Sequence, residues 1–274
     1  MTLRDTSIKA SNGWHRFGCP GEPQGMRKMV DRNFALSLVY YPPGYSNDLH
    51  RHDWAQITFQ LAGELNEKID GIEFDSLGSA IGIKPAGSLH EDRWGAGGAF
   101  LLTATMPEER ATKYLHGETV GWMPNADHMA AVGLTRLLVH SPPSDHLDIA
   151  HDLLAFRRPS QVGSHGGEPP PWLKRVREAI ADSPATTRIE EIAEVSGLHR
   201  VHIARQFRRY FGTSPSIFRR SQMAARLIGQ LAAGEESIIH CALGAGYFDQ
   251  SHAARSLRSE IGLNLSQTRD LFRC

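Results

Sequence analysis

Arginine is the residue type most able to do chemistry in this sequence, and it is concentrated at one end. From Trp172 onward the chain holds 15 Lys and Arg against 10 Asp and Glu, and fourteen of those cations are Arg. A guanidinium is always charged, and its planar fork of donors matches both phosphate oxygens and the O6/N7 edge of guanine. Two sets of residues recur at i, i+3, i+4 and i+7: Val201, Ala204, Arg205 and Arg208, then Ser251, Ala254, Arg255 and Arg258. That spacing puts each set on one face of a helix. Small residues let a helix approach a surface closely while neighbouring arginines reach further, as a major-groove contact requires. A solvated face of a helical bundle has a similar composition, so repetition has to decide between the two.

The repetition is present. Residues 201–212 (VHIARQFRRYFG) and 251–262 (SHAARSLRSEIG) share five of twelve positions at an offset of 50. Upstream, Ala193 and Gly197 recur as Ala242 and Gly246 at an offset of 49, so the second unit has a turn one residue longer. In the first unit Ile189, Ile192 and Ala193 form the apolar face of a short helix, and Gly197 supplies the left-handed stop. Thr187 with Glu190 reads as a capping box at its start. Ile203, Phe207 and Phe211 form the inner stripe of the following helix. Two short helices crossing at a small residue and a turn glycine make a helix-turn-helix pattern. Between the units, Ser214-Pro215 reads as an N-cap with Pro at N1, opening a helix that ends near Gly234. About 18 helical residues span ~27 Å, enough to set two recognition helices roughly one DNA turn (~34 Å) apart.

Residues 172–273 resemble the AraC family DNA-binding domain, through IEEIAEVSGL (189–198), FRRYFGTSP (207–215) and AGYFDQSHAARSLRSEIG (245–262). The resemblance implies base reading by Arg200, Val201, Ala204 and Arg205 in the first unit and by Gln250, Ser251, His252 and Arg255 in the second, with Arg208 and Arg258 on the same stripes. Gln206 stands where that family usually has an apolar residue. Ala253 and Leu257 replace usual aromatics and Leu265 a usual Pro, which predicts a thinner core in the second unit.

The part before Trp172 carries 15 Lys and Arg against 20 Asp and Glu. Residues 34–41, 54–61 and 99–106 read as strands, and Asp70-Gly71 as a two-residue type I′ hairpin turn. Residues 125–139 and 145–156 read as helices, and 158–171 (RPSQVGSHGGEPPP) as a linker, because neither helix nor strand tolerates four Pro and three Gly in fourteen residues. The segment GYSNDLHRHDWAQITFQLAG (44–63) and PAGSLH (85–90) resemble the two motifs of the cupin family, a small antiparallel jelly-roll barrel. His-x-His spacing turns both rings to one side of a strand. The resemblance implies a divalent metal at His50, His52 and His90, with Gln56 at the usual carboxylate position. The other reading is an organic effector held by those side chains, with Trp54 and Trp94 lining the pocket. Most other histidines, His116, His128, His146, His151 and His165 among them, read as surface residues.

The expected architecture is therefore α+β: a cupin-like sensing and dimerisation domain (1–157) with flanking helices, a linker (158–171) and an all-α double helix-turn-helix domain (172–274). The segments 136–139 and 148–156 are amphipathic, and either form a dimer contact or pack on their own barrel. The expected function is a non-enzymatic, sequence-specific transcription regulator, an activator or a repressor. Its expected partners are double-stranded DNA, a small-molecule effector and a second copy of itself, with RNA polymerase a further one, and it requires no cofactor. The alternative is a metal-dependent cupin enzyme fused to a DNA-binding domain. The sequence holds no GxSxG, P-loop, HExxH or strand–GxGxxG–helix pattern. Cys19, Cys241 and Cys274 are too few and scattered for a disulfide framework. With neither a signal peptide nor a span-length apolar run, the expected setting is cytoplasmic, away from membranes.

Overall fold

The computed structural model describes residues 14–115, 120–124, 128–155 and 168–273. Among them the strands are β1 (His15–Phe17), β2 (Gln24–Asp31), β3 (Phe34–Tyr41), β4 (Ser46–His50), β5 (Ala55–Ile69), β6 (Ile72–Leu77), β7 (Ala80–Lys84), β8 (His90–Met106) and β9 (Gly121–Pro124). The helices are α1 (Glu108–Leu115), α2 (His128–His140), α3 (His146–Ala155), α4 (Pro171–Asp182), α5 (Ile189–Ser196), α6 (Arg200–Phe211), α7 (Pro215–Ala233), α8 (Ile238–Gly244), α9 (Gln250–Ile261) and α10 (Leu265–Asp270). No helix among the described residues is long and apolar enough to cross a membrane.

All strand pairs are antiparallel, in the order β1-β2-β3-β8-β5-β7-β9, with β4 also on β8 and β6 also on β5. β5 and β8 are long because each serves two layers. The first half of β5 pairs with β7 and the second with β6, while β8 pairs first with β4 and then with β3. They bend where the β5–β8 register slips, around Gly63 and Gly98. Both glycines have positive φ (+88° and +71°), and a Cβ on Gly63 would collide with the Gly98 carbonyl. The folded-over layers meet inside, where Leu65 and Trp94 pack with Ala99 and Leu101 and with Tyr41 and Trp122. The Asp70-Gly71 turn has φ of 49° and 86°, the two positive values a type I′ turn requires.

The outer face of this sheet is not solvated. Leu36 and Leu38, Ile57 and Phe59, and Phe100 and Leu102 form one core with Met223, Leu227, Ile228 and Leu231 of α7 and with Ala253, Leu257 and Ile261 of α9. Each such side chain contributes about 1.5–3 kcal/mol on burial. The apolar face therefore outweighs the polar bonds crossing the same junction, such as Ser221 Oγ accepting from the Gly63 amide (2.9 Å). A smaller core joins α4 (Leu173, Val176, Ile180), α6 (Ile203, Phe207), Phe218 and Leu77 of β6. The α+β composition is as expected, but one core runs through both parts of the chain. Residues 156–167, most of the expected linker, lie outside the described residues, as do the chain start through Gly13, His116, His165 and Cys274. Of the other two cysteines, Cys19 is exposed, Cys241 is buried, and both are free.

Three sequence expectations need correction. Thr187 does not cap α5: the N-cap is Arg188, without a side-chain bond, and Thr187 Oγ1 donates instead to the Ala179 carbonyl of α4 (2.8 Å). His146 is buried rather than on the surface, because its Nε2 lies 2.9 Å from the Ser141 carbonyl and its ring packs beside Trp14. The second unit's core is not thin. Ala253 and Leu257 are fully buried, because α2 and β5 pack against α9 and fill the space that larger side chains would take.

Candidate DNA-recognition surface and barrel interior

The two short-helix pairs, α5–α6 and α8–α9, are built alike. α5 ends at Gly197 in the left-handed conformation (φ 65°), and its amide bonds back to the last turn. α6 starts at His199, whose ring accepts from the Val201 amide, and ends at Gly212 (φ 70°). α9 starts at Asp249, which accepts from the His252 amide at 2.6 Å, and ends at Gly262 (φ 82°). Ile203 and Phe207 point into the core from α6, as Ala253, Leu257 and Ile261 do from α9. Ser214 caps α7 and Pro215 occupies its first turn, as the sequence predicts.

The outer faces are open. Arg200, Val201, Arg205 and Arg208 on α6 are exposed and Ala204 is half-buried; Gln250, Ser251, His252, Arg255 and Arg258 on α9 are exposed. Val201 is 61% exposed, so its side chain is open to an outside partner. Among the described residues Arg205, Arg208, Arg255 and Arg258 make no ion pair, and Arg200 has only Glu190 at 3.8 Å. A merely solvated face would intersperse carboxylates with these arginines. Here the guanidiniums stand free for an outside acceptor.

In the barrel the structure brings His50, His52 and His90 together, with ring centroids 4.2–5.1 Å apart. Cross-strand register does this: His50 on β4 lies opposite His90 on β8. Nδ1 of His50 lies 2.7 Å from the Asp48 carbonyl and Nδ1 of His90 lies 3.0 Å from the Ser88 carbonyl. A neutral ring there donates from Nδ1 and keeps its lone pair on Nε2. Burial, then neighbouring positive groups, pushes His52 and His90 down to about 4, so both rings are neutral near pH 7.

The sequence missed the acidic half of this cluster. Glu67 and Asp92 sit opposite each other in the β5–β8 register, are 1% and 6% exposed, and lie beside His90. Asn47 donates to Asp92 at 2.8 Å; Lys84 Nζ lies 2.6 Å from Glu67, whose other oxygen accepts from the Trp122 indole. Burial raises the Asp92 carboxyl above its ordinary range. The available signal was alternation: Glu67 lies between Leu65 and Ile69, and Asp92 between His90 and Trp94, each on the inward face of a strand. Gln56 is half-buried and pairs in register with Lys84. Three imidazole nitrogens within 4.8 Å of one another, with carboxylates alongside, are a chemically suitable donor set for a divalent transition ion. Trp94 stacks on Tyr41 (4.0 Å, 13°), and its buried indole N–H has no hydrogen-bond partner among the described residues. Trp54 is 38% exposed, just ahead of β5.

Residues 173–270 match the protein family described as "Helix-turn-helix domain". No curated protein matches the sequence. Among solved structures, the C-terminal domain of AraT, a response regulator from Geobacillus stearothermophilus, is 21% identical, covering 38% of this chain and 88% of its own, with a TM-score of 0.36. An RmlC-like cupin from Shewanella frigidimarina is 14% identical (37% of this chain, 90% of its own, TM-score 0.32), and KdgF from Halomonas sp. is 13% identical (34% and 86%, TM-score 0.31). The C-terminal part of the chain is an AraC-type helix-turn-helix domain. The protein is a DNA-binding transcription regulator.

Proposed function

We propose that this regulator is a one-component sensor: the barrel binds a small molecule, and α6 and α9 read DNA bases with Arg200, Val201, Ala204, Arg205, Gln250, Ser251, His252 and Arg255. One observation carries the coupling. The strands that line the barrel interior also dock the DNA-binding domain. β5 and β8 hold Glu67, His90, Asp92 and Trp94 inside, and the same strands contact α7 through Gly63 and the Gly97 region. A ligand that changes the β5–β8 bend thus acts on the helix joining the two recognition units. The effector is a compact polar molecule with an aromatic or apolar portion: the histidines, Lys84 and the carboxylates suit its polar groups, and the Trp94–Tyr41 wall suits the rest. His50, His52 and His90 would hold a divalent ion, which would supply a Lewis-acidic anchor for such a ligand; DNA binding would not require it.

The test is selection of a random duplex library on the full chain, repeated with Arg205→Ala. Wild type enriches a defined site; the variant loses preference at one position, at a cost of about 1–3 kcal/mol. Absence of any enriched sequence refutes base reading. The sensing half is tested with metabolite fractions that raise the Tm of wild type but not of Trp94→Ala. By linkage the active fraction changes DNA affinity by the factor by which DNA changes its own.

A further inference from the structure

The two recognition helices flank a cleft of about 980 Å³ whose lining joins residues of the reading faces, Val201, Ala204 and His252 among them, to residues that those faces do not include. One wall is α6, with Ala204 and Arg208; the floor is the start of α7, with Arg219 and Arg220; the other wall is the turn before α9, with Phe248. Arg219 is committed to the fold, donating to the carbonyls of Pro184 and Ala185. Among the described residues Arg208 makes no ion pair. Arg220 uses only its Nε, on Glu260 Oε1 at 3.1 Å, and its side chain remains 58% exposed. Phe248 is 86% exposed, an unusual position for an aromatic in a folded chain.

We infer that this cleft holds the sugar–phosphate backbone of the duplex segment lying between the two major grooves that α6 and α9 enter, with Arg208 and Arg220 on phosphates and Phe248 against deoxyribose. The inference rests on the proposed reading of DNA by both helices. Two helices in successive major grooves straddle a minor groove and its bordering strands, and the floor between them faces that stretch. A nucleic-acid backbone alternates anionic phosphate with an apolar sugar face. The cleft offers the Arg208 guanidinium and the remaining donors of Arg220 beside a solvent-exposed ring. Backbone contacts of this kind fix register without reading sequence. Glu260, buried under Arg220, restrains that guanidinium, so neutralising it frees the cation for phosphate.

The experiment measures binding of the full chain to the library-selected duplex and to a scrambled duplex across a salt series. The variants are Arg208→Ala, Phe248→Ala, Glu260→Gln and the double Arg220→Ala/Glu260→Gln, the last leaving no buried carboxylate unpaired; melting curves establish that each folds. Arg208→Ala and the double variant are expected to weaken both duplexes by the same factor and to lower the log K against log[salt] slope by about one. Phe248→Ala weakens both with the slope unchanged, and Glu260→Gln tightens both. Unchanged slopes in both arginine variants, or losses confined to the selected duplex, overturn the inference. Enrichment by wild type and the position-specific loss in Arg205→Ala are read separately, so the cleft can fail while base reading stands. If wild type binds neither duplex, base reading itself has failed.

Discussion

The two helix-turn-helix units are near copies in sequence but are supported differently. The first, α5–α6, rests on a small core of its own with α4, and joins the barrel through Leu77 and through Arg177, which reaches Asp75 at 2.9 Å and Glu64 at 3.4 Å. The second, α8–α9, has no separate core; Leu257 and Ile261 lie in the same cluster as the barrel's Phe59 and Phe100. The second unit is therefore tied to the sheet by apolar packing, which is close-fitting and responds to small changes of shape. The first is tied by a polar latch that can open at smaller cost. In this account the barrel positions the second unit directly and the first through α7.

Truncation should break the symmetry most. Leu257→Ala is expected to cost about 2–5 kcal/mol and to lower the melting transition of barrel and second unit together. Ile203→Ala should loosen α4–α6 while the barrel signals, followed by Trp94 fluorescence, melt unchanged. Equal effects on both would mean the units are supported alike.

Acid should separate the regions next. His52 and His90 are held near 4 in the fold against 6.5 when free. The unfolded chain binds more protons than the fold between those values, so stability falls as pH drops from about 6.5 towards 4, by an order of a few kcal/mol. Denaturant midpoints against pH check this, and a His52→Gln/His90→Gln variant should flatten the profile. The loss should register in the barrel and second unit before the first.

Smaller effects come from glycines. A Cβ on Gly229 of α7 would collide with the Tyr40 hydroxyl, so Gly229→Ala should cost about 1–3 kcal/mol and weaken the barrel contact. Gly197 has open space around its Cβ position and a φ of +65°, so Gly197→Ala should carry only the left-handed penalty, about 1–2 kcal/mol, confined to the first unit. Differential scanning calorimetry of the pair distinguishes a junction effect from a local one.

Much of this was legible in the sequence because it depends on local spacing. The fifty-residue repeat, the Ser214-Pro215 start and the Asp70-Gly71 turn need no knowledge of the tertiary fold. Strand β3 was equally plain, but its run FALSLVYY is buried on both faces, and nothing in it says what covers the outer one. That cover includes α7, more than a hundred residues away, so the shared core could not be read. The three histidines came from a motif, whereas Glu67, Asp92 and Lys84 join them only through the registers of β5, β8 and β7. The Thr187 error has the same origin: the hydroxyl satisfies the end of α4, a partner outside its own helix.

The central claim, that α6 and α9 enter successive major grooves on one face of the duplex, is tested most directly by hydroxyl-radical footprinting of the full chain on its selected site. The account predicts two protected segments whose centres lie about 10–10.5 base pairs apart on the same face, with Arg205→Ala and Arg255→Ala each weakening a different one. A single protected segment, or two on opposite faces, would contradict it.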